Sequence, residues 1–172
     1  MIKKFSIFLI LIVVFLIPKH SFAANYYFNA AIDNDWSNVL NWWEDAGFTI
    51  QASVIPGTGD DVSISGAVYA VNSGEASVYS AVFQQGVGWA SGNSSLTVSD
   101  GGLVFESQAY IYNNGSTIYS ASTTFNGAGY NEGTMYGNVI FNDSSYNNGI
   151  VNGNAIFEYA SGGTITITNR NS

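Results

Sequence analysis

From Phe125 onward the chain alternates short apolar runs with polar punctuation at a fixed interval. Phe125-Asn126 through Ile140 aligns with Phe141-Asn142 through Ile156, and another unit opens at Phe157. At this period of 16, Phe125, Phe141 and Phe157 coincide. So do Tyr130 and Tyr146, Asn131 and Asn147, Gly133 and Gly149, Gly137 and Gly153, and Asn138 and Asn154. Tyr112-Asn113-Asn114-Gly115 reads as a degenerate earlier copy, displaced by two extra residues between Gly115 and Phe125. Runs such as Val139-Ile140-Phe141 are too short for helices and are bounded by Gly and Asn, so they predict strands joined by turns. Asn148-Gly149 supplies residue types that tolerate positive φ in such turns.

Upstream, Val62-Ser63-Ile64, Ala67 to Val71, Val78 to Phe83, Leu96-Thr97-Val98 and Leu103-Val104-Phe105 predict further strands separated by Gly and Ser. One 16-residue unit buries two or three large apolar side chains, worth about 1.5–3 kcal/mol each. Fixing its backbone costs roughly 1–2 kcal/mol per residue, so a lone unit is unstable. Units must share hydrogen bonds and a core with their neighbours. The expected fold is all-β, a parallel β-helix over residues 61–172, with Phe125, Phe141 and Phe157 in one column and Asn138 and Asn154 in an amide ladder. The alternative is an antiparallel meander with Asn114-Gly115 and Asn148-Gly149 as hairpin turns. Residues 24–60 differ in kind: they are rich in Trp and Tyr, Ser37 to Asp45 suits a short helix with Ser37 as N-cap, and the segment is expected to cap the open end of the stack.

The N-terminus changes the picture of the composition. Lys3 and Lys4 precede an apolar run from Phe5 to Ile17, and Ser21-Phe22-Ala23 provides a small-x-small site. This is the pattern of a secretory signal cleaved after Ala23, and the run is shorter than the roughly 20 residues a membrane span needs. Cleavage removes every Lys and the single His. The mature chain retains Arg170 as its one basic side chain against 12 carboxylates, a formal charge of −11, and it contains no Cys. Such a chain is a poor match for nucleic acid or anionic lipid, which are bound through clusters of Lys and Arg. Its stability is expected to come from packing and backbone pairing rather than disulfides.

Trp36-Ser37 followed by Asn41-Trp42, and then Pro56-Gly57-Thr58-Gly59-Asp60-Asp61-Val62-Ser63-Ile64, resembles the opening segment of bacterial autotransporter-like and related β-helical cell-surface repeat proteins. In those proteins a W-x-x-x-x-NW element precedes a P-G-x-x-D-D-V-x-I element that leads into the first coil. The Asn/Gly-rich repeats are similar to theirs as well. The resemblance implies a β-helical fold and a location at the cell surface, and it implies no activity. The chain shows no translocator barrel, wall-sorting motif or C-terminal anchor, so it is expected to be a fragment or a short member of that group.

Several constellations hold candidate chemistry. Asp33 to Glu44 places oxygen donors at positions 1, 3, 5, 9 and 12 of a calcium-loop pattern, although Tyr26-Tyr27-Phe28 before it reads as strand, which favours a capping loop. Asp60-Asp61 reads as turn chemistry. Ser–His and Cys–His nucleophiles are impossible without His or Cys. Glu75, Glu106, Glu132, Glu158, Asp100 and Asp143 offer carboxylates for a glycosidase, but no spacing singles out a pair. Trp36, Trp42, Trp43 and Trp89 could stack on sugars or fill the cap core, and the core reading is favoured. Thr164-Ile165-Thr166-Ile167-Thr168 alternates as a flat exposed strand would, leaving an edge for further coils, a partner or a capping element.

The resulting expectation is an exported, non-catalytic structural or adhesion-type surface module. It takes no cofactor, its mature chain does not enter a membrane, and its partners are surface glycans or other proteins. A carbohydrate-binding module built on the Trp cluster is the second reading, and a polysaccharide-active enzyme is the third.

Overall fold

The computed structural model describes residues 23–65, 69–71, 75–90, 95–112 and 115–158. The expected signal segment, the Thr164–Thr168 strand and Asn113-Asn114 lie outside these residues. The described strands are β1 (Asn25–Phe28), β2 (Trp42–Trp43), β3 (Asp61–Ile64), β4 (Tyr69–Val71), β5 (Glu75–Phe83), β6 (Gly88–Ala90), β7 (Ser95–Phe105), β8 (Tyr110–Ile111), β9 (Thr117–Phe125), β10 (Tyr130–Asn131), β11 (Thr134–Asn142), β12 (Tyr146–Asn147), β13 (Ile150–Asn152) and β14 (Ala155–Glu158). They form a parallel β-solenoid of two sheets, one of nine strands ordered β13-β11-β9-β7-β5-β3-β1-β2 with β14 also on β11, and one of five ordered β12-β10-β8-β6-β4. Among the described strands only β1 with β2 pairs antiparallel, so the hairpin meander is ruled out. Asn148-Gly149 makes the corner between β12 in one sheet and β13 in the other, instead of turning a hairpin.

The long strands β5, β7, β9 and β11 each bend once, at register shifts near Val78/Ser80, Val98/Leu103 and Tyr136/Asn138. Inward positions alternate along each half, but the bend resets their phase: Ala76 and Val78 are buried, and so are Ala81 and Phe83. Without that reset the second half would turn its apolar side chains to water. The bend therefore makes one strand serve two walls of the coil. Leu96-Thr97-Val98 and Leu103-Val104-Phe105, expected as separate strands, are the two halves of β7.

The predicted phenylalanine column is present and longer than expected. Phe83, Phe105, Phe125, Phe141 and Phe157 stack with centroid spacings of 4.7, 4.6, 5.0 and 4.9 Å and nearly parallel planes. The rungs above Phe125 escape the 16-residue period because their coils are longer: the register pairs Phe83 with Phe105 and Phe105 with Phe125. The degenerate copy is corrected in the same way. Tyr110, not Tyr112, pairs with Tyr130, because the extra residues lie in the corner between Ile111 and Thr117.

The interior changes as the coils shorten. Facing inward on the five-stranded sheet, Trp89 and Ile111 give way to Asn131, which is fully buried, and then to Asn147. Asn131 accepts from the Gly133 N–H at 2.9 Å and donates to Asn147 at 2.7 Å, and Asn147 donates to the Gly149 carbonyl at 3.1 Å. A smaller cross-section has no room for an indole, and the tight corner leaves backbone groups that an amide can satisfy. Asn131 and Asn147 are thus core amides of the coil and not turn residues. The expected amide ladder is also present, and it lies on the exterior, with Asn154 donating to Asn138 at 3.2 Å.

The cap departs from expectation in two respects. Its first strand, β1, pairs in parallel with β3, so Asn25–Phe28 is already a rung of the sheet although it precedes residue 61. Ser37 to Asp45 forms no α-helix, only a 3-10 turn at Val39–Asn41 with Asn38 as its N-cap. Trp42 and Trp43 are drawn into pairing with β1, and the Asp35 and Asn38 side chains take up the N–H groups of Ser37 and Leu40. These local bonds compete with helix formation.

Candidate functional site

Aromatic residues divide into two populations. Trp36, Trp42 and Trp89 are buried and form the plug between cap and first coil. Trp36 packs edge-on against Trp42 at 4.6 Å and Trp89 at 5.5 Å, while Phe28 meets Trp42 at 5.0 Å. The Trp42 indole donates to the Trp36 carbonyl at 2.7 Å. Trp43 is half-buried, donates to Asn29 at 3.0 Å and packs on Phe48. Enclosed rings present no face to a ligand, so Trp36, Trp42 and Trp89 sit as the core filling that the sequence favoured over a sugar-stacking platform, and of the four only Trp43 keeps part of its ring outside. Burial of a ring that size is worth several kcal/mol to the cap, which explains the Trp density there.

The tyrosines do the reverse. On the outer side of the five-stranded sheet, Tyr110, Tyr130 and Tyr146 stack with centroids 5.1 Å apart and planes within 8°. Tyr112 stands against Tyr110 at 62° and is 51% exposed, and Tyr146 is 48% exposed. Gly88 occupies the rung before Tyr110, where a Cβ would collide with the ring, so its lack of a side chain lets Tyr110 lie over the strand. A second pair, Tyr119 and Tyr136, stacks at 4.8 Å on the outer side of the larger sheet. Burial, then the charge of Glu132, raises the Tyr130 phenol above its ordinary value and keeps it neutral. Sequence reasoning matched Tyr130 to Tyr146 without seeing that they face outward. The available signal was that each precedes an Asn whose amide closes the corner inside.

The carboxylates of the cap are tied into turns. Asp33 accepts from the Asn41 amide at 2.6 Å, the Asp35 N–H at 2.9 Å and the Asn38 amide at 3.0 Å. Asn41, fully buried, accepts in turn from the N–H groups of Ile32 and Asp33. The calcium-pattern loop is thus laced by its own donors into a capping loop. Asp45 accepts from Ile50, Thr49 and Gly47 N–H groups. Asp60 accepts from Gly57 and Ala24, and Asp61 from the Ser80 hydroxyl, which is turn and rung chemistry. Of the carboxylates offered for a glycosidase, Glu106 accepts from Asn126, at one end of a ladder continued by Asn142. Glu158 pairs beside Asn142 one rung further on, and Asp143 adopts positive φ at a corner. Among the described residues no three carboxylates converge.

Hydrogen bonds from Asn41, then Asp35 and Asn38, hold the Asp33 carboxyl below the usual aspartate value, and the Ile50 N–H does the most to lower Asp45. Depressed folded values add stability above the unfolded aspartate pKa, and that stability is lost as pH falls through the folded values. The melting temperature is therefore expected to hold from neutral pH down to the ordinary aspartate range and to fall below it. Asp33→Asn with Asp45→Asn should flatten that acid limb in a thermal-melt series. An unchanged acid limb in the double variant would remove these two groups from the account.

No helix among the described residues is long and apolar enough to cross a membrane. Comparison of the chain with protein families, curated proteins and solved structures finds no match.

Proposed function

We propose that this chain is an exported, non-catalytic structural or adhesion-type module of the cell surface. The observation that supports it best is the repetition of side chains as registered columns along the solenoid, inside and out, while the cap carboxylates are spent on turns. A stack of this kind supplies length and a repeated exterior. Several of the side chains that general acid–base and nucleophilic chemistry rely on are absent from the mature sequence, which has no Lys, His or Cys. Export rests on the basic, apolar and small-residue pattern that ends at Ala23. The likeness of the Trp36–Trp42 and Pro56–Ile64 elements to those of β-helical surface proteins supports the same reading.

Expressed from its own reading frame, the protein is expected outside the cytoplasm with Ala24 as its first residue. Incubation with neutral and acidic polysaccharides should release neither new reducing ends nor unsaturated sugars. Recovery in the cytoplasm with Met1 retained would overturn the export reading, and turnover of any polysaccharide would overturn the non-catalytic one.

A further inference from the structure

The outer tyrosines of the five-stranded sheet, half-buried at Tyr110 and Tyr130 and exposed at Tyr112 and Tyr146, are an arrangement that the fold does not need for its own core. The Phe column and the Trp plug fill the interior, yet Tyr110, Tyr112, Tyr130 and Tyr146 form one contiguous aromatic patch on the outer side. Contiguous exposed aromatic surface, unlike scattered single residues, marks places where something binds. Tyr offers large amphipathic area at low cost in side-chain entropy, and stacking on neighbours has already paid most of that cost.

Charge and geometry narrow the partner. With no Lys or His in the mature chain and Glu132 on the same outer face, the patch repels polyanions such as nucleic acid or acidic glycans. A cationic partner would seek ring faces, but Tyr110, Tyr130 and Tyr146 give their faces to one another. Because the rings stack face to face, the row leaves ring edges to its outer side, repeated every 5.1 Å from rung to rung. Tyr112, set across Tyr110, adds a ring open to solvent, and the exposed Asn148 adds an amide. The exposed Tyr146 and the Asn148 amide, beside the one open ring of Tyr112, match a polymer that repeats hydroxyls along its length and offers an apolar face to that ring.

We propose that this tyrosine row binds a neutral linear polysaccharide lying along the solenoid axis. The proposal names the ligand class of the adhesive module above and rests on that reading. The test is affinity electrophoresis of the mature protein in gels containing a soluble neutral β-glucan, a mannan or a xyloglucan, with polylysine as a cationic comparison. At least one neutral glycan should retard the protein. Tyr112→Ala with Tyr146→Ala, both exposed and at the ends of the patch, should weaken that retardation about tenfold. Tyr119→Ala, on the other sheet, should leave it unchanged, and circular dichroism should show the fold intact in all variants. No retardation by any neutral glycan, retention of full affinity in the double variant, or a preference for polylysine would each overturn the proposal. Shortening of the glycan during binding would instead overturn the non-catalytic reading while supporting this one, so the two failures are distinguishable.

Discussion

Gly137→Ala is expected to cost about 4 kcal/mol or more, enough to unfold the C-terminal coils. Gly137 sits at the bend of β11 with φ of +121°, outside the range an L side chain adopts comfortably, and a Cβ there would overlap the Ser120 carbonyl oxygen of the preceding rung. Both problems are backbone problems, so no rotamer change relieves them. The column explains why glycine is required. Val78, Val98 and Ser120 line up at the bends of β5, β7 and β9, and at β11 the register shift brings the Gly137 backbone against the Ser120 carbonyl of the preceding rung. Gly86→Ala makes the control, since Gly86 has φ of +75° but open space around its missing Cβ. Strain alone predicts a loss of about 1–2 kcal/mol there. Urea denaturation of the two variants should separate them clearly. Equal losses would mean that close approach at Gly137 contributes nothing.

Phe105→Ala is the second large effect. Phe105 is fully buried, with Phe83 at 4.7 Å on one side and Phe125 at 4.6 Å on the other. Removing its ring leaves a cavity at mid-column and should cost about 3–5 kcal/mol. Each rung touches only its neighbours, so the gap also uncouples the coils on either side. The expected signature is a lower denaturation midpoint with a shallower slope, and faster amide exchange in β9 and β11 than in β3 and β5. Phe157→Ala, at the half-buried end of the same column, should cost distinctly less. If both variants lose the same amount, or the slope stays fixed while exchange rises uniformly, the stack behaves as one cooperative block.

The two predictions draw on parts of the molecule that were unequally legible. Phe125, Phe141 and Phe157 announced their column because their coils have equal length, and homotypic stacking rewards identical residues at equal spacing. Phe83 and Phe105 belong to the same column but were hidden by longer corners, which surface loops tolerate at little cost. That tolerance also misplaced Tyr112 as the partner of Tyr130. Asn131 looked like turn punctuation, since composition ties Asn to turns; burial between two corners made it a core amide instead. The Trp cluster was rightly linked to the cap, and its favoured role as core filling matches the burial of Trp36, Trp42 and Trp89.

By itself the sequence determined a repetitive all-β chain, the parallel stacking of its coils as the favoured arrangement, the acidic, cysteine-free character of the chain and the rings that had to be stacked. Those follow from period and composition, which need no coordinates. Only the tertiary structure decided which side chains face in. In a strand that choice depends on a two-residue alternation, and each bend in β5, β7, β9 and β11 resets it through local backbone geometry. A shift of one residue at a bend exchanges core for surface, and so the outward turn of Tyr130 and Tyr146, on which the proposed glycan surface rests, became visible only in the fold.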